Sequence, residues 1–227
     1  MTGVQTCALP IYFPRVPSDE ESCFRFNRRV LNLLKDNKDI QIVALVGMWE
    51  GPFRPRMPWG GNDRGWWTTE SANSHEIPTL DGSREILKQS LIATIQSLRE
   101  AGKQVIVFED VPNFVFDPVL RLRTVRIPAR RALAMWLGAL DASDPGFASP
   151  DLDSEATTAR SAVRDAVGEF SDVTLVDLKP NLCRSAGQCT YRVGDRLLYS
   201  DSQHLTPEGA EYALRGFRFP AVAGATE

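Results

Sequence analysis

The spacing of apolar and polar residues predicts helices alternating with short strands. Between Ser22 and Asp36, Phe26, Val30, Leu33 and Leu34 recur at helical spacing among Arg and Lys, which predicts an amphipathic helix capped by Ser22. Ile40–Val46 is a β-branched run too short for a helix and stopped by Gly47, the pattern of a buried parallel strand. A helix starting at Asp81 or Ser83 and running to Glu100 carries Ile86, Leu87, Leu91, Ile92, Ile95 and Leu98 on one face, with Gly102 ending it. Lys103–Phe108 and Val173–Asp177 read as two further strands, and Pro128–Leu140 and Ser154–Phe170 as helices. The stretch after Pro112 reads as irregular, Ala142–Asp151 as a polar linker and Arg196–Tyr199 as a short extended piece. Pro207–Arg215 closes the chain as a helix, with Thr206 as cap and Pro207 in its first position. This rhythm predicts an α/β fold, a short parallel sheet covered on both faces by helices.

From Met48 to about Thr79 no period is sustained, and Trp, Gly, Pro and Asn are frequent. A connection of roughly thirty residues far exceeds the usual four to six, and loops of that length usually carry function. The 227 residues, 43% hydrophobic and 24% charged, suit one globular domain. A formal net charge of −3 provides no broad basic field, which argues against nucleic acid as a partner. Arg121, Arg123, Arg126, Arg130 and Arg131 form one local basic cluster, read as solvated helix or loop surface. No run nears the roughly 20 apolar residues of a membrane-spanning helix. Residues 1–12 lack the charged start and apolar stretch of a secretory signal. Thr2–Ile11 looks like sequencing-adapter DNA translated by accident, so residues 1–12 are set aside as a non-native leader and 13–227 are taken as a partial domain.

The chain has two histidines, and His204 has the setting that chemistry requires. Asp201 stands three residues ahead of it, just before a capped helix, so the carboxylate can turn back onto imidazole Nδ1–H. That bond fixes the tautomer, frees Nε2 as a base and stabilises the imidazolium formed when a serine gives up its proton. The plainer alternative is a chance Asp-x-x-His of structural use only. His75 reads as a surface loop residue without a role. Cys183 and Cys189 enclose Arg-Ser-Ala-Gly-Gln, a spacing that fits a local disulfide better than a zinc half-site, since no second Cys or His pair could complete four ligands. Such a bridge stabilises by roughly 2 kcal/mol and belongs to an oxidising compartment; two reduced thiols in a cytosolic loop are the alternative. Asp110 and Asp177 lie at strand ends, where they could line a ligand crevice or serve as turn and cap residues. No metal site and no cofactor is expected.

Tyr199-Ser-Asp-Ser-Gln-His-Leu-Thr-Pro-Glu-Gly-Ala210 resembles the final block of the SGNH hydrolase superfamily, in which Asp-x-x-His-Leu-Ser/Thr-x-x-Gly closes the domain. Cys183…Cys189 followed by Gly194, Leu198-Tyr199 and Asp201-x-x-His204 is similar to the periplasmic SGNH domain fused to membrane acyltransferases of family three. Ile42–Trp49 and Leu98–Pro112 resemble further blocks of that group, so the likeness spans about Ser22 to Phe217. It implies a three-layer, flavodoxin-like fold, a Ser-His-Asp mechanism on acyl esters of cell-surface glycans, and an acyl donor and glycan acceptor as partners. It further implies an extracytoplasmic site beside an inner-membrane acyltransferase domain. The family opens with a strand ending in Gly-Asp-Ser, and no Gly-Asp-Ser occurs here, so the first strand and its nucleophile are expected to be missing and the chain inactive. A non-catalytic glycan-binding or interaction domain is the alternative. The superfamily often places Gly-x-Asn-Asp after the strand that here ends in Gly47-Met48-Trp49, which makes Gly47 and Trp49 oxyanion or substrate candidates. Asn62, in Gly60-Gly-Asn-Asp63, matches in letters but lies farther along the loop, where it could equally be a turn residue. Trp49, Trp59, Trp66 and Trp67 could form a sugar-stacking wall or simply cover the sheet edge.

Overall fold

The computed structural model describes residues 20–50, 80–138, 145–150, 154–184 and 187–220. In chain order its elements are α1 (Glu20–Asp36), β1 (Ile42–Leu45), α2 (Leu80–Glu100), β2 (Gln104–Phe108), α3 (Pro118–Arg126), α4 (Pro128–Trp136) and β3 (Phe147–Ala148). They continue with α5 (Ser154–Gly168), β4 (Thr174–Val176), α6 (Lys179–Leu182), β5 (Cys189–Thr190), β6 (Arg192–Val193), β7 (Arg196–Leu197) and α7 (Pro207–Ala213). The chain divides into two compact units, one of Met1–Asp110, Asp153–Val176 and Ala221–Glu227, the other of Val111–Leu152 and Asp177–Pro220.

The first unit is built on a parallel sheet in the order β1-β2-β4, with Ile42 opposite Gln104 and Ile106 opposite Thr174. The three strands predicted from β-branched runs are the three that pair. Val43, Leu45, Val105 and Val107 share one core with Leu87, Leu91, Ile95 and Leu98 of α2, with Leu31 of α1 and with Ala159, Ala162, Val163 and Ala166 of α5. Ser90, Thr94 and Ser97 of α2 are buried along with its leucines, and α5 contributes the alanines Ala159, Ala162 and Ala166 to the core. Ion pairs Arg84–Asp165, Lys88–Glu169 at 3.4 Å and Arg99–Asp172 at 2.8 Å run along the outside. In β1 the burial alternates, and Ala44 and the following Val46 are exposed, whereas β2 is buried from Val105 to Phe108.

Local chemistry sets the turns of this unit. Gly102 closes α2 at φ +75, donating its N–H to the Arg99 carbonyl at 2.8 Å, as the sequence leads one to expect. Lys103, though buried, keeps its charge partnered: Nζ donates to the carbonyls of Asn37 at 2.6 Å and Ile40 at 2.9 Å, tying the end of α1 to the start of β1. Helix α1 starts at Glu20, ahead of Ser22, so Ser22 lies within the helix and is not its cap.

The second unit contains the main departure from expectation. The stretch after Pro112 is not irregular throughout, because Asp117-Pro118 starts helix α3: Asp117 Oδ1 accepts from Val119 N at 2.7 Å and Leu120 N at 3.1 Å, and proline occupies the first turn. Helix α4 ends at Trp136, short of the predicted Leu140. Short antiparallel ladders join β3 to β5 and β6 to β7. Cys183 and Cys189 form a disulfide, S–S 2.09 Å, next to β5. The basic cluster is only partly solvated, since the Arg121 guanidinium lies 4.6 Å over the Phe116 ring and Arg126 pairs with Asp195 at 3.0 Å.

Ile95→Ala is expected to lower stability by about 2–5 kcal/mol by opening a cavity between α2 and the sheet. Leu133→Ala on the exposed face of α4 should change it by less than about 0.5 kcal/mol. Urea unfolding of the two variants checks this, and equal losses would contradict the placement of the core.

Candidate functional site

The polypeptide from Leu197 to Gly209 is folded by its own backbone into a tight loop. Ser200 N donates to the His204 carbonyl at 2.8 Å, Tyr199 bridges Leu205, and Thr206 N donates to the Leu198 carbonyl at 2.9 Å. Thr206 serves twice, its hydroxyl donating to the Leu197 carbonyl at 2.9 Å and accepting the Gly209 N–H at 3.0 Å as the cap of α7. Gly209 packs directly on this loop: a Cβ built there would lie 1.8 Å from the Leu198 carbonyl oxygen, so the glycine is demanded by close approach.

Asp201 organises the tip of the loop. Its Oδ1 accepts the backbone N–H groups of Gln203 and His204, each at 2.8 Å, and its Oδ2 lies 2.7 Å from His204 Nδ1. The structure thus brings Asp201 and His204 together in the pairing expected of them. Partial burial pushes the Asp201 carboxyl up, but the two amides and the imidazole outweigh it, and the net pKa falls below the ordinary carboxylate value. With Nδ1–H directed at the carboxylate, Nε2 is left as the basic nitrogen, and it has no partner among the described residues. The imidazole side chain is 55% exposed, open to a reacting group.

An aromatic floor lies under the loop. Tyr199 is fully buried and meets Phe114 edge-on at 5.1 Å, while Phe114 also meets Tyr191 at 5.6 Å and Phe116 meets Tyr191 at 5.2 Å. Phe114 N donates to the Ser202 carbonyl at 2.9 Å, which fastens the loop to this floor through main chain as well as packing. Burial pushes the Tyr199 phenol well above its usual pKa, and its hydroxyl has no hydrogen-bond partner among the described residues. The sequence did not single out Phe114, Phe116 or Tyr191; Phe116 and Tyr191 stand 75 residues apart, so no local pattern links them.

In the first unit, the strand ends carry a second group of ionisable side chains. Glu109, almost wholly buried, receives Arg164 in a two-pronged pair at 2.6 and 3.1 Å and Arg160 at 3.5 Å. Asp110, the next residue, accepts Trp49 N at 2.9 Å on Oδ1 and Glu50 N at 3.0 Å on Oδ2. Of its two possible uses, Asp110 takes the turn role, and Asp177 does likewise by accepting Lys179 N at 2.9 Å. Burial raises the Asp110 pKa to about 7, with the nearby Glu50 carboxylate adding to the rise and the two amides and Arg160 opposing it.

Trp49 is 1% exposed, and its indole Nε1 donates to the Phe108 carbonyl at 2.7 Å. Both N–H groups of Trp49 are therefore engaged and its ring is packed into the sheet, which leaves neither an oxyanion donor nor an open stacking face. Cover for the sheet is the role its burial fits. Gly47 is partly buried beside that ring, 3.7 Å from where its Cβ would stand. Asn62, Trp59, Trp66, Trp67 and His75 lie outside the described residues. Among the described residues no group of His, Cys, Asp and Glu is arranged to hold a metal ion, and no helix is long and apolar enough to cross a membrane.

A short parallel sheet packed with helices is the architecture of an SGNH-type α/β domain, and the loop before α7 carries the Asp201–His204 pair. The family model of the SGNH domain (fused to AT3 domains) matches residues 2–218, and the chain belongs to that family, within a hydrolase- and esterase-like superfamily. The fusion in that description points to a membrane acyltransferase domain as partner. No curated protein matches the chain.

Two expectations follow. Gly209→Ala must displace the Leu198 backbone and should cost about 1–3 kcal/mol, read as a lower thermal midpoint; an unchanged midpoint would disprove the close approach. Because the folded-state pKa of Asp110 lies above its unfolded value of 3.8, its contribution is fully present below that value and is lost as the pH rises through about 7. The stability of the parent chain relative to Asp110→Asn should therefore fall across that window in urea titrations, and parallel curves would exclude the shift.

Proposed function

We propose that Asp201 and His204 are the orienting acid and the general base of a serine-dependent O-acyltransferase or esterase domain that acts on acyl esters of cell-surface glycans, on the extracytoplasmic side of a membrane. The observation that carries this reading is the 2.7 Å contact between Asp201 Oδ2 and an imidazole that is more than half exposed. A histidine kept only for structure would gain more from burial and from using both ring nitrogens.

In this reading the nucleophilic serine comes from a Gly-Asp-Ser segment that the present sequence does not contain. Serine Oγ attacks the acyl carbonyl while His204 Nε2 takes its proton, and the imidazolium returns that proton to the departing alcohol, leaving an acyl-serine. A glycan hydroxyl then attacks the acyl group, His204 again taking the proton and passing it to the serine oxygen as the new ester leaves; with water in place of the glycan, the product is the free acid. Asn62 or Gly47 is the oxyanion candidate that remains once Trp49 is set aside. The disulfide supports an oxidising compartment, and the fusion in the family description supports a membrane-bound acyltransferase partner.

The absent Gly-Asp-Ser favours a second reading, a glycan-binding domain that keeps the fold without turnover. Sequencing the parent gene upstream separates the two, since a strand ending in Gly-Asp-Ser is expected there under the enzymatic reading. The restored protein should hydrolyse an aryl acetate, and His204→Ala should slow it by about a hundred- to ten-thousandfold. Equal turnover in the restored protein and its His204→Ala variant would remove His204 from the chemistry.

A further inference from the structure

Asn113 is a buried polar residue that the packing of the second unit leaves unexplained. It is 6% exposed and stands between Pro112 and Phe114, which are also buried. Its side chain has no hydrogen-bond or ionic partner among the described residues. Taking an amide out of bulk water without a partner is unfavourable, and a leucine of similar size would avoid the loss, so packing alone does not account for an asparagine here. The Tyr199 hydroxyl is unpartnered too, but it is shut off from solvent, and the Asn113 carboxamide is not. The small exposure that Asn113 keeps therefore reaches its amide, and a group arriving from outside can meet it.

The main chain sets this amide beside the Asp201–His204 loop. Phe114 N, bonded to the carbonyl carbon of Asn113, donates to the Ser202 carbonyl at 2.9 Å, and the Phe114 ring meets Tyr199 edge-on at 5.1 Å. Asn113 is thus one peptide bond and one hydrogen bond away from the residue that follows Asp201. Chemistry narrows the ligand. A carboxamide both donates and accepts and has no charge. The adjoining loop presents the Asp201 carboxylate, which repels an anion, and the Arg121 guanidinium lies over the Phe116 and Tyr191 rings. The group that suits the amide is neutral and itself both donor and acceptor, which is a hydroxyl.

We infer that Asn113 is a specificity-determining residue whose carboxamide takes a hydroxyl of the substrate's sugar beside the Asp201–His204 pair. The identity of the ligand as a sugar rests on the function proposed above. A site built to bond a hydroxyl discriminates against a ligand that lacks one, because the protein's own polar group is then left unpaired. Asn113 accordingly selects an ester carried by a glycan over a simple alkyl ester.

The test is an NMR titration of the full chain, isotope-labelled, with the methyl glycosides of glucose, galactose, mannose and N-acetylglucosamine, beside ethyl acetate, which has an ester and no hydroxyl. The side-chain amide signals of Asn113, assigned by their absence from the Asn113→Leu spectrum, are expected to shift with at least one glycoside and to stay in place with ethyl acetate. Followed at the His204 imidazole signals, binding of that glycoside should weaken about fivefold in Asn113→Leu and in Asn113→Ala, the second variant adding no bulk. The thermal midpoint of Asn113→Leu should equal or exceed that of the parent chain, since an unpartnered amide has been removed. Absence of any shift with all the glycosides, or equal affinity in both variants, would overturn the inference. So would a lowered midpoint in Asn113→Leu with binding unchanged, which would assign the carboxamide to a trapped water that supports the fold. No turnover is involved, so failure here leaves His204 as general base standing, and the aryl acetate assay that decides that role does not bear on this one.

Discussion

The candidate site depends on one carboxylate with two separate tasks. Asp201 Oδ1 takes the amides of Gln203 and His204, which forces the chain into a turn, and that turn carries the His204 ring back to Oδ2. Shape and chemistry thus share a residue: the geometry that presents the imidazole exists because the group that polarises it also folds its backbone. Replacing the carboxylate would remove the orienting acceptor and an acceptor of two amides at once, so its loss could not be read as purely electrostatic.

A short polar loop of this kind holds its form only on a rigid base. The base here is the cluster of Phe114, Phe116, Tyr191 and Tyr199, reinforced by the Phe114 amide on the Ser202 carbonyl and by Gly209 pressed against Leu198. Packing from below and a helix cap from the side leave Ser200 and the His204 imidazole exposed at the tip of the loop. Such division between a packed support and an exposed imidazole means that the ring is already ordered in the folded chain.

The parallel strands were legible because a central strand covered on both sides must be a continuous apolar run, and Val105–Phe108 is one. The Asp201–His204 pair was legible because a three-residue spacing before a capped helix leaves the two side chains few ways to miss each other. Helix α3 was overlooked although Asp117-Pro118 announces it: its burial is limited to Pro118 and Leu122, so no apolar stripe marks the turns that follow. Trp49 stayed open between two readings for a related reason. A tryptophan after a strand has the same letters whether its ring faces a ligand or the core, and the decision was made sixty residues away, where the Phe108 carbonyl and the Asp110 carboxylate take its two N–H groups. Long-range partners of that kind leave no local pattern.

Asp110 and Asp201 make the same local bonds and end with opposite proton affinities. Each accepts two backbone amides, and in each burial is the largest single influence, raising the pKa. At Asp110 burial wins because the carboxyl is deep at the strand ends and Glu50 adds a like charge; at Asp201 it loses because the carboxyl is partly solvated and an imidazole answers it. The difference matches their situations. A carboxylate beside an imidazole, near solvent and held by two amides, is kept charged. One that only ties two strand ends together can tolerate a proton, and burial just past β1 and β2 imposes that tolerance.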